Sequence, residues 1–362
     1  MRIGHVTYRY KPIVGGMETY VGMLYEVFAQ AGYSQRIYQV NTGIRGKEFR
    51  FVPRLPFMPK QIAFNIGLPF RLLDLAREDW LIINNAEHYL PVAWHPRTVV
   101  LSHGATWTAD ESPLRRRLRK LSAQIAFKGA RRYVFNDTFA MRELGINCPP
   151  KKGMFQEVAP GKWFIPNCVD ADIFRPNEGL ESLKRLNPIL VPRNLTYPRG
   201  VDLAIKAFAI FVKEYPQTNL VIVGDIIYDN MRQFRYKLLL TQLIEELDLV
   251  GKVYFLGNVA RERMPQIYSS AMMTLIPTRR SEGTSLAALE SMACGIATIS
   301  TDVEGLLDLP TIQCSVDIND MATTMLQIYL IRERIGKEQQ ATVQQVHNLA
   351  NWSRAWLRVL DL

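Results

Sequence analysis

The sequence predicts an α/β protein made of two doubly wound parallel sheets in tandem. Three observations predict it. Short apolar runs of strand composition alternate with longer helical patterns along most of the chain. The alternation lapses over 167–188, a polar stretch broken by Pro176 and Pro188, and then restarts. A length of 362 residues with 48% apolar content suits two cored domains better than one.

In order, Ile3–Tyr8 reads as a buried strand, Gly15-Gly16 as a turn, and Met17–Ala31 as a helix. Ser34–Val40 is a second strand, and 41–60 reads as loop. A helix near 61–77 precedes strands at Trp80–Asn84 and Thr98–Ser102. A basic helix over 112–128 leads to a strand at Arg132–Phe135, then a short helix, a loop at 147–161 and a strand at Lys162–Pro166. After the lapse, strands fall at Ile189–Val191, Asn219–Val223, Lys252–Phe255, Met272–Ile276 and Ala297–Ser300. Helices fall between them at 200–214, 231–248, 263–270 and 285–294, and helices at about 319–345 and 352–360 close the chain. The expected division is 1–168, a linker at 169–187, 188–345, and a terminal helix in 346–362. Two such domains are expected to face a central cleft, with ligands at the carboxyl ends of the strands.

The net charge of +10 is uneven. Residues 1–175 hold 25 Lys/Arg against 14 Asp/Glu, and the remainder 19 against 20. The first half therefore favours an anionic partner: a membrane face, a nucleic acid or a phosphate-bearing substrate. Nucleic acid is not expected, because no recognised module or stacking platform accompanies the charge. Cys148, Cys168, Cys294 and Cys314 form no C-x-x-C pair and fit no zinc spacing, so they read as buried thiols of a reducing cytosol. Arg2, His5, Arg9 and Lys11 interrupt any leader-like apolar run, and no run approaches a membrane span. The expected location is cytoplasmic, with peripheral attachment at the inner membrane face.

The richest motif is Glu282-Gly-Thr-Ser-Leu-Ala-Ala-Leu-Glu290. Two acids eight residues apart can share a helix face, and Gly283, Thr284 and Ser285 open a helix N-terminus whose unpaired amides suit an anion. Two surface glutamates on an amphipathic helix are the plain alternative. Gly15-Gly16 could bring backbone amides close to an oxyanion or be an ordinary turn; the dinucleotide fingerprint is absent. Arg193 and Arg199 flank a loop leaving a strand, where two guanidiniums can clamp a diphosphate or simply be solvated. His103, at another strand end, suits a sugar hydroxyl or a structural role. Asp170-Ala-Asp172 reads as a cap rather than a metal site, and neither a metal nor a cofactor is expected. Leu114, Leu118, Leu121 and Ile125 recur at helical spacing among Arg115, Arg116, Arg117, Arg119 and Lys120. With Arg131 and Arg132 this reads as contact with anionic membrane through 112–132, or as a core-packed helix with a solvated basic face.

In order and spacing these pieces resemble a GT-B-fold retaining glycosyltransferase of family 4, the glycosyl transferases group 1 type. The resemblance runs through Gly15-Gly16, Ser102-His103-Gly104, Ile165–Pro176, Pro192–Gly200, Val221–Gly224 and Ser281–Gly295. It implies that Glu282 meets the donor sugar, that Glu290 binds the ribose, and that Arg193 and Arg199 clamp the diphosphate. It implies that His103 shapes the sugar pocket and that Gly15, Gly16, Gly283, Thr284 and Ser285 offer donor-binding amides. Arg199 stands where the family usually has Lys, and Gly283-Thr284-Ser285 where it has Gly-Phe-Gly. The segment Asn351–Trp356 is similar to the family's last helix, which crosses back to the first domain. The implied activity is metal-independent, hexosyltransferase-type transfer from a nucleotide diphosphate sugar. Its acceptor would be a glycan or lipid-linked glycan bound by the first domain, as in polysaccharide or glycolipid synthesis. The alternatives are a GT-B sugar-nucleotide epimerase and a catalytically silent GT-B scaffold or subunit.

Overall fold

The computed structural model describes residues 1–13, 15–53, 57–108, 112–147, 155–227 and 231–360. The chain divides into two units, Met1–Asn167 with Ala350–Leu362, and Cys168–Leu349.

The first unit opens with β1 (Arg2–Val6), α1 (Gly16–Gln30), β2 (Ser34–Gln39) and β3 (Phe49–Phe51). Next come α2 (Lys60–Gly67), a 3-10 turn at Leu68–Arg71, α3 (Leu72–Leu75), β4 (Trp80–Ile83) and β5 (Thr98–Ser102). It continues with α4 (Pro113–Gly129), β6 (Arg132–Phe135), α5 (Thr138–Glu143), β7 (Gln156–Ala159) and β8 (Lys162–Phe164). The strands run β3-β2-β1-β4-β5-β6-β8-β7 across the sheet. All pairs are parallel except β7–β8, an antiparallel edge hairpin in which β8 lies where a strand is expected and β7 where the sequence pattern predicts loop. β4 and β5 are buried at every position, as strands covered on both faces must be.

The second unit holds α6 (Glu181–Lys184), β9 (Pro188–Pro192), α7 (Val201–Glu214), β10 (Asn219–Val223), α8 (Met231–Glu246), β11 (Val253–Gly257) and α9 (Met264–Tyr268). It ends with β12 (Met273–Ile276), α10 (Leu286–Ala293), β13 (Thr298–Thr301), β14 (Ile312–Cys314), α11 (Ile318–Tyr329) and α12 (Arg332–Val346), and the closing helix α13 (Leu349–Val359) belongs, from Ala350 on, to the first unit. Its parallel sheet has the order β11-β10-β9-β12-β13-β14. α7 shows how pattern becomes packing: Val201, Ala204, Ile205, Phe208 and Phe211 recur at helical spacing and are all buried.

Three differences from the sequence reading have physical causes. β3, β7 and β14 are three or four residues long, too short to show a period. The stretch 169–187, read as a linker, is packed into the second unit, whose core buries Val169, Phe174 and Leu183. The helix expected over 319–345 is two helices, α11 and α12. From Ala350 the chain belongs to the first unit, where Trp352 and Trp356, one helical turn apart, are fully buried. Trp356 Nε1 donates to Tyr20 Oη at 3.0 Å, and Tyr20 meets the Trp352 ring edge-on. Cys168, Cys294 and Cys314 are free and buried; Cys148 lies outside the described residues. Among the described residues no helix is long and apolar enough to cross a membrane.

Candidate functional site

In the second unit β9 lies between β10 and β12. The chain leaves β9 towards β10 and later returns through β12 on the opposite side. Loops from the carboxyl ends of β9 and β12 therefore diverge, and the crevice between them is where doubly wound sheets take ligands.

Arg193 is the first residue past β9 and is almost wholly buried. Its Nη2 donates to Thr278 Oγ1 at 3.0 Å, and its Nη1 donates to Glu282 Oε1 at 3.4 Å. Arg199 pairs with the other oxygen of the same carboxylate, Oε2. Glu282 is thus held by two guanidiniums from the loop after β9. Burial pushes Arg193 down to about 10. Burial, then the neighbouring charge of Arg193, pushes Arg199 down to about 9. Both stay cationic at neutral pH.

The turn that presents Arg199 is clamped from three sides. Gly200 holds φ +69°, and a Cβ there would stand 1.7 Å from the Pro277 carbonyl oxygen, so only glycine fits. Arg279 grips Asp202 with two bonds, of 2.7 and 2.6 Å, and donates to the Tyr197 carbonyl at 3.1 Å. Its guanidinium also lies 4.2 Å from the centroid of the Tyr197 ring. Tyr236 of α8 donates to Asp202 Oδ1 at 2.5 Å. Asp202, Tyr236 and Arg279 escape the sequence reading because 77 residues separate the paired charges Asp202 and Arg279.

The loop carrying Glu282 is fixed by its backbone. The Glu282 amide donates to Glu304 Oε2 at 2.7 Å, and the Gly305 amide donates to the Glu282 carbonyl at 3.1 Å. A Cβ on Gly305 would lie 2.4 Å from the carbonyl carbon of Gly283. Ser281 at φ +60° and Glu304 at φ +44° take left-handed conformations on the two sides of this contact. Such strain persists only where the surroundings enforce it.

The two acids do not share a helix face. α10 begins at Leu286, so Glu282 lies in the preceding loop and only Glu290 is helical. Glu290 is buried and has its own partners: Arg261 Nε donates to Oε1 and Tyr268 Oη to Oε2, each at 3.3 Å. Burial raises its pKa from 4.5 to about 7, against the pull of Arg261. Tyr268 links the two acids' surroundings, since Arg193 also lies near enough to act on its hydroxyl. Arg261 sits in a 3-10 turn before α9 with its guanidinium over the Phe174 ring, and no motif marks it. Ser285 caps α10, its Oγ facing the Ala288 amide at 3.5 Å, and Thr284 is buried beside it. A cavity of about 240 Å³ lies by the carboxyl ends of β10 and β11, lined by Leu195, Gly224, Asp225, Lys237 and Phe255 among others. The Lys237–Asp225 ion pair, 2.9 Å long, stands in its wall.

The remaining candidates lie in the first unit. Gly15 is the N-cap of α1, and Gly16 its first residue, at the switch point between β1 and β4. The Glu18 carboxylate stands beside Gly15 and pairs with Arg9 at 3.0 Å, so an acid already faces that helix start. His103 follows β5 with its ring edge-on to Tyr20 at 4.9 Å. Burial lowers its pKa to about 4, leaving it neutral, and its buried Nε2 has no protein partner. Asp170 Oδ1 accepts from the Asp172 amide at 3.0 Å, a local cap. Among the described residues no three His, Cys, Asp or Glu side chains cluster as metal ligands.

Residues 178–310, which contain Arg193, Arg199, Glu282 and Glu290, match the model of the Glycosyl transferases group 1 family. Over that stretch the chain is similar to glycosyl transferases of group 1. Curated relatives match part of the chain. A phosphatidylinositol N-acetylglucosaminyltransferase component of Arabidopsis thaliana is 27% identical over half of this chain and 40% of its own length. A D-inositol 3-phosphate glycosyltransferase of Acidothermus cellulolyticus is 30% identical over 39% of this chain and 33% of its own. The chain therefore spans well under half of the length of these relatives. Among solved structures, sucrose-phosphate synthase from Thermosynechococcus elongatus superposes with TM-score 0.83 at 17% identity, covering 99% of this chain and 98% of that one. The Anabaena protein HepE, in complex with UDP and glucose, superposes with TM-score 0.79 at 16% identity, covering 100% and 99%. The fold is GT-B.

Proposed function

We propose that the chain is a retaining, metal-independent glycosyltransferase that moves a sugar from a nucleotide diphosphate sugar to an acceptor hydroxyl. The convergence of Arg193 and Arg199 on Glu282 at the switch point carries this reading. Two cations at a strand-end crevice suit an anion with more than one charge. An incoming diphosphate competes with Glu282 for the same donors. Its arrival moves guanidinium bonds to phosphate oxygens and frees the carboxylate to accept hydroxyls of the transferred sugar. The bond between the anomeric carbon and the diphosphate oxygen then breaks, and its electron pair leaves with the diphosphate. The acceptor oxygen bonds to the same carbon on the same face, and its proton passes to the departing phosphate. Fixed cations that need no rearrangement as charge develops are the main catalytic term.

Glu290 is assigned the ribose hydroxyls, and the cavity beside Asp225 and Lys237 the base. Gly283, Thr284 and Ser285, together with Gly15 and Gly16, are assigned donor-binding amides. His103, neutral and with a free ring nitrogen, is assigned a sugar hydroxyl. The named activities of the curated relatives agree with sugar transfer. The acceptor is read as a glycan or lipid-linked glycan of the cell surface, met at an anionic membrane face through residues 112–132.

Calorimetric titration of the full chain with UDP and GDP, followed by turnover of the sugar forms with product anomers read by NMR, tests the reading. Binding of one diphosphate that Arg193→Ala weakens, with retained configuration in the product, is expected. Binding that ignores Arg193→Ala overturns the clamp. Donor conversion to an epimer without acceptor identifies an epimerase, and a chain that binds neither nucleotide is a scaffold.

A further inference from the structure

α4 carries apolar side chains on its outer side as well as on its core side. Its leucines face solvent: Leu114 is 67% exposed, Leu118 53% and Leu121 49%. Its core side is formed by the buried Ala123 and Ala126, with Ile125 and Phe127 half-buried against the same core. Three cations bend back to the unit: Arg116 donates to the Trp107 carbonyl, Arg119 pairs with Glu87, and Lys120 pairs with Glu143. Arg115, Arg117 and Lys128 remain exposed beside the leucines, and no acid lies anywhere in the helix. α4 therefore packs on the core through Ala123, Ile125, Ala126 and Phe127, while Leu114, Leu118 and Leu121 of the expected apolar stripe stay outside it.

A second element, which the sequence pattern does not mark, extends this face. Around α2, the Leu68–Arg71 turn and α3, the inner residues Ala63, Phe64, Leu68 and Leu75 are buried. Ile62, Ile66, Phe70 and Leu73 are exposed, the last two by 70% and 77%. The turn Leu90–Val92 packs against both the Leu68–Arg71 turn and α4, and it too exposes Leu90, with Trp94 beyond it. Apolar groups spread over adjoining elements are uncommon on a soluble monomer and mark a contact surface.

We propose that α2–α3, the Leu90–Trp94 turn and α4 together form a docking face for an anionic lipid bilayer. Apolar side chains enter the acyl boundary while Lys60, Arg115, Arg117 and Lys128 meet the headgroup phosphates. The charge decides the occupant. α4 carries six Lys or Arg and no acid, so a second copy docked on this face would set like charges against each other. The inference shares the 112–132 contact with the reading above and adds a second anchor. It does not depend on the sugar chemistry, because its test uses no donor.

Flotation of the full chain with phosphatidylcholine vesicles, with and without phosphatidylglycerol, tests it. Binding to the anionic vesicles should exceed that to neutral ones at least tenfold and weaken as salt rises. Ile62→Ser/Phe70→Ser/Leu73→Ser and Leu114→Ser/Leu118→Ser/Leu121→Ser should each lower binding about tenfold or more without lowering Tm, since every replaced side chain is exposed. UDP affinity should be unchanged in both, which separates this test from that of the donor site. Wild-type binding by the α2–α3 variant, equal binding to both vesicles, or a soluble dimer that the serine variants dissociate would overturn the proposal.

Discussion

Glu290 makes pH a direct probe of the site. Replacing Glu290 by Gln keeps the shape and burial but removes the titration. In the folded chain its pKa is raised from 4.5 to about 7, first by burial. The folded state therefore holds the proton more tightly than the unfolded state does. The stability this contributes is fully present below 4.5, falls as pH rises, and is gone above 7. At about 1.4 kcal/mol per pKa unit, the shift corresponds to about 3 kcal/mol. Glu290→Gln should match the wild type near pH 5 and be the more stable near pH 8, by up to that amount. For a unit of this size that is a Tm difference of roughly 6–12 °C. Calorimetric scans of both proteins across this range read it. A variant less stable than wild type at pH 8, or a difference that does not change with pH, would refute the reasoning. The same shift links to ligand binding. A ribose hydroxyl donating to the carboxylate favours its ionised form, so nucleotide binding near pH 6.5 should release a proton. Titrations in buffers of different ionisation enthalpy detect that release, and Glu290→Gln should abolish it.

Arg199→Ala should lower nucleoside diphosphate affinity by about 10–100-fold, the worth of a charge-assisted bond, and calorimetric titration measures it. Asp202→Asn should weaken the same binding through a displaced Arg199. In the Arg199→Ala background it should then add almost nothing, and additive effects in the cycle would make Asp202 a purely structural residue. Gly200→Ala should destabilise by several kcal/mol, because a left-handed φ adds about 1–2 kcal/mol to the clash with Pro277. Gly145→Ala, also left-handed but with open space around it, is the control and should lose far less in urea denaturation.

Two doubly wound sheets were legible in the sequence because long strands and helices carry a period: β5, β6 and β10 lie where the pattern puts them. Arg193, Arg199 and Glu282 were legible as candidates because each sits at a strand end or helix entry, positions where doubly wound folds bind ligands. Their mutual contact was not, since no local rule joins residues 89 apart. The sequence also could not separate solvated from buried faces on α4, where leucine spacing gives the same signal either way and only packing of the alanine side decides.

What the sequence determined alone was the fold class, the restart after residue 188, and the charge imbalance between the halves, because periodicity and composition are local properties. The tertiary structure decided which charges meet. It set Arg261 on Glu290, Arg279 on Asp202 and both arginines on Glu282, and it turned the leucines of α4 outward. Burial and long-range approach set pKa values, strain and exposed surface, and neither is written in the spacing of residues along a chain.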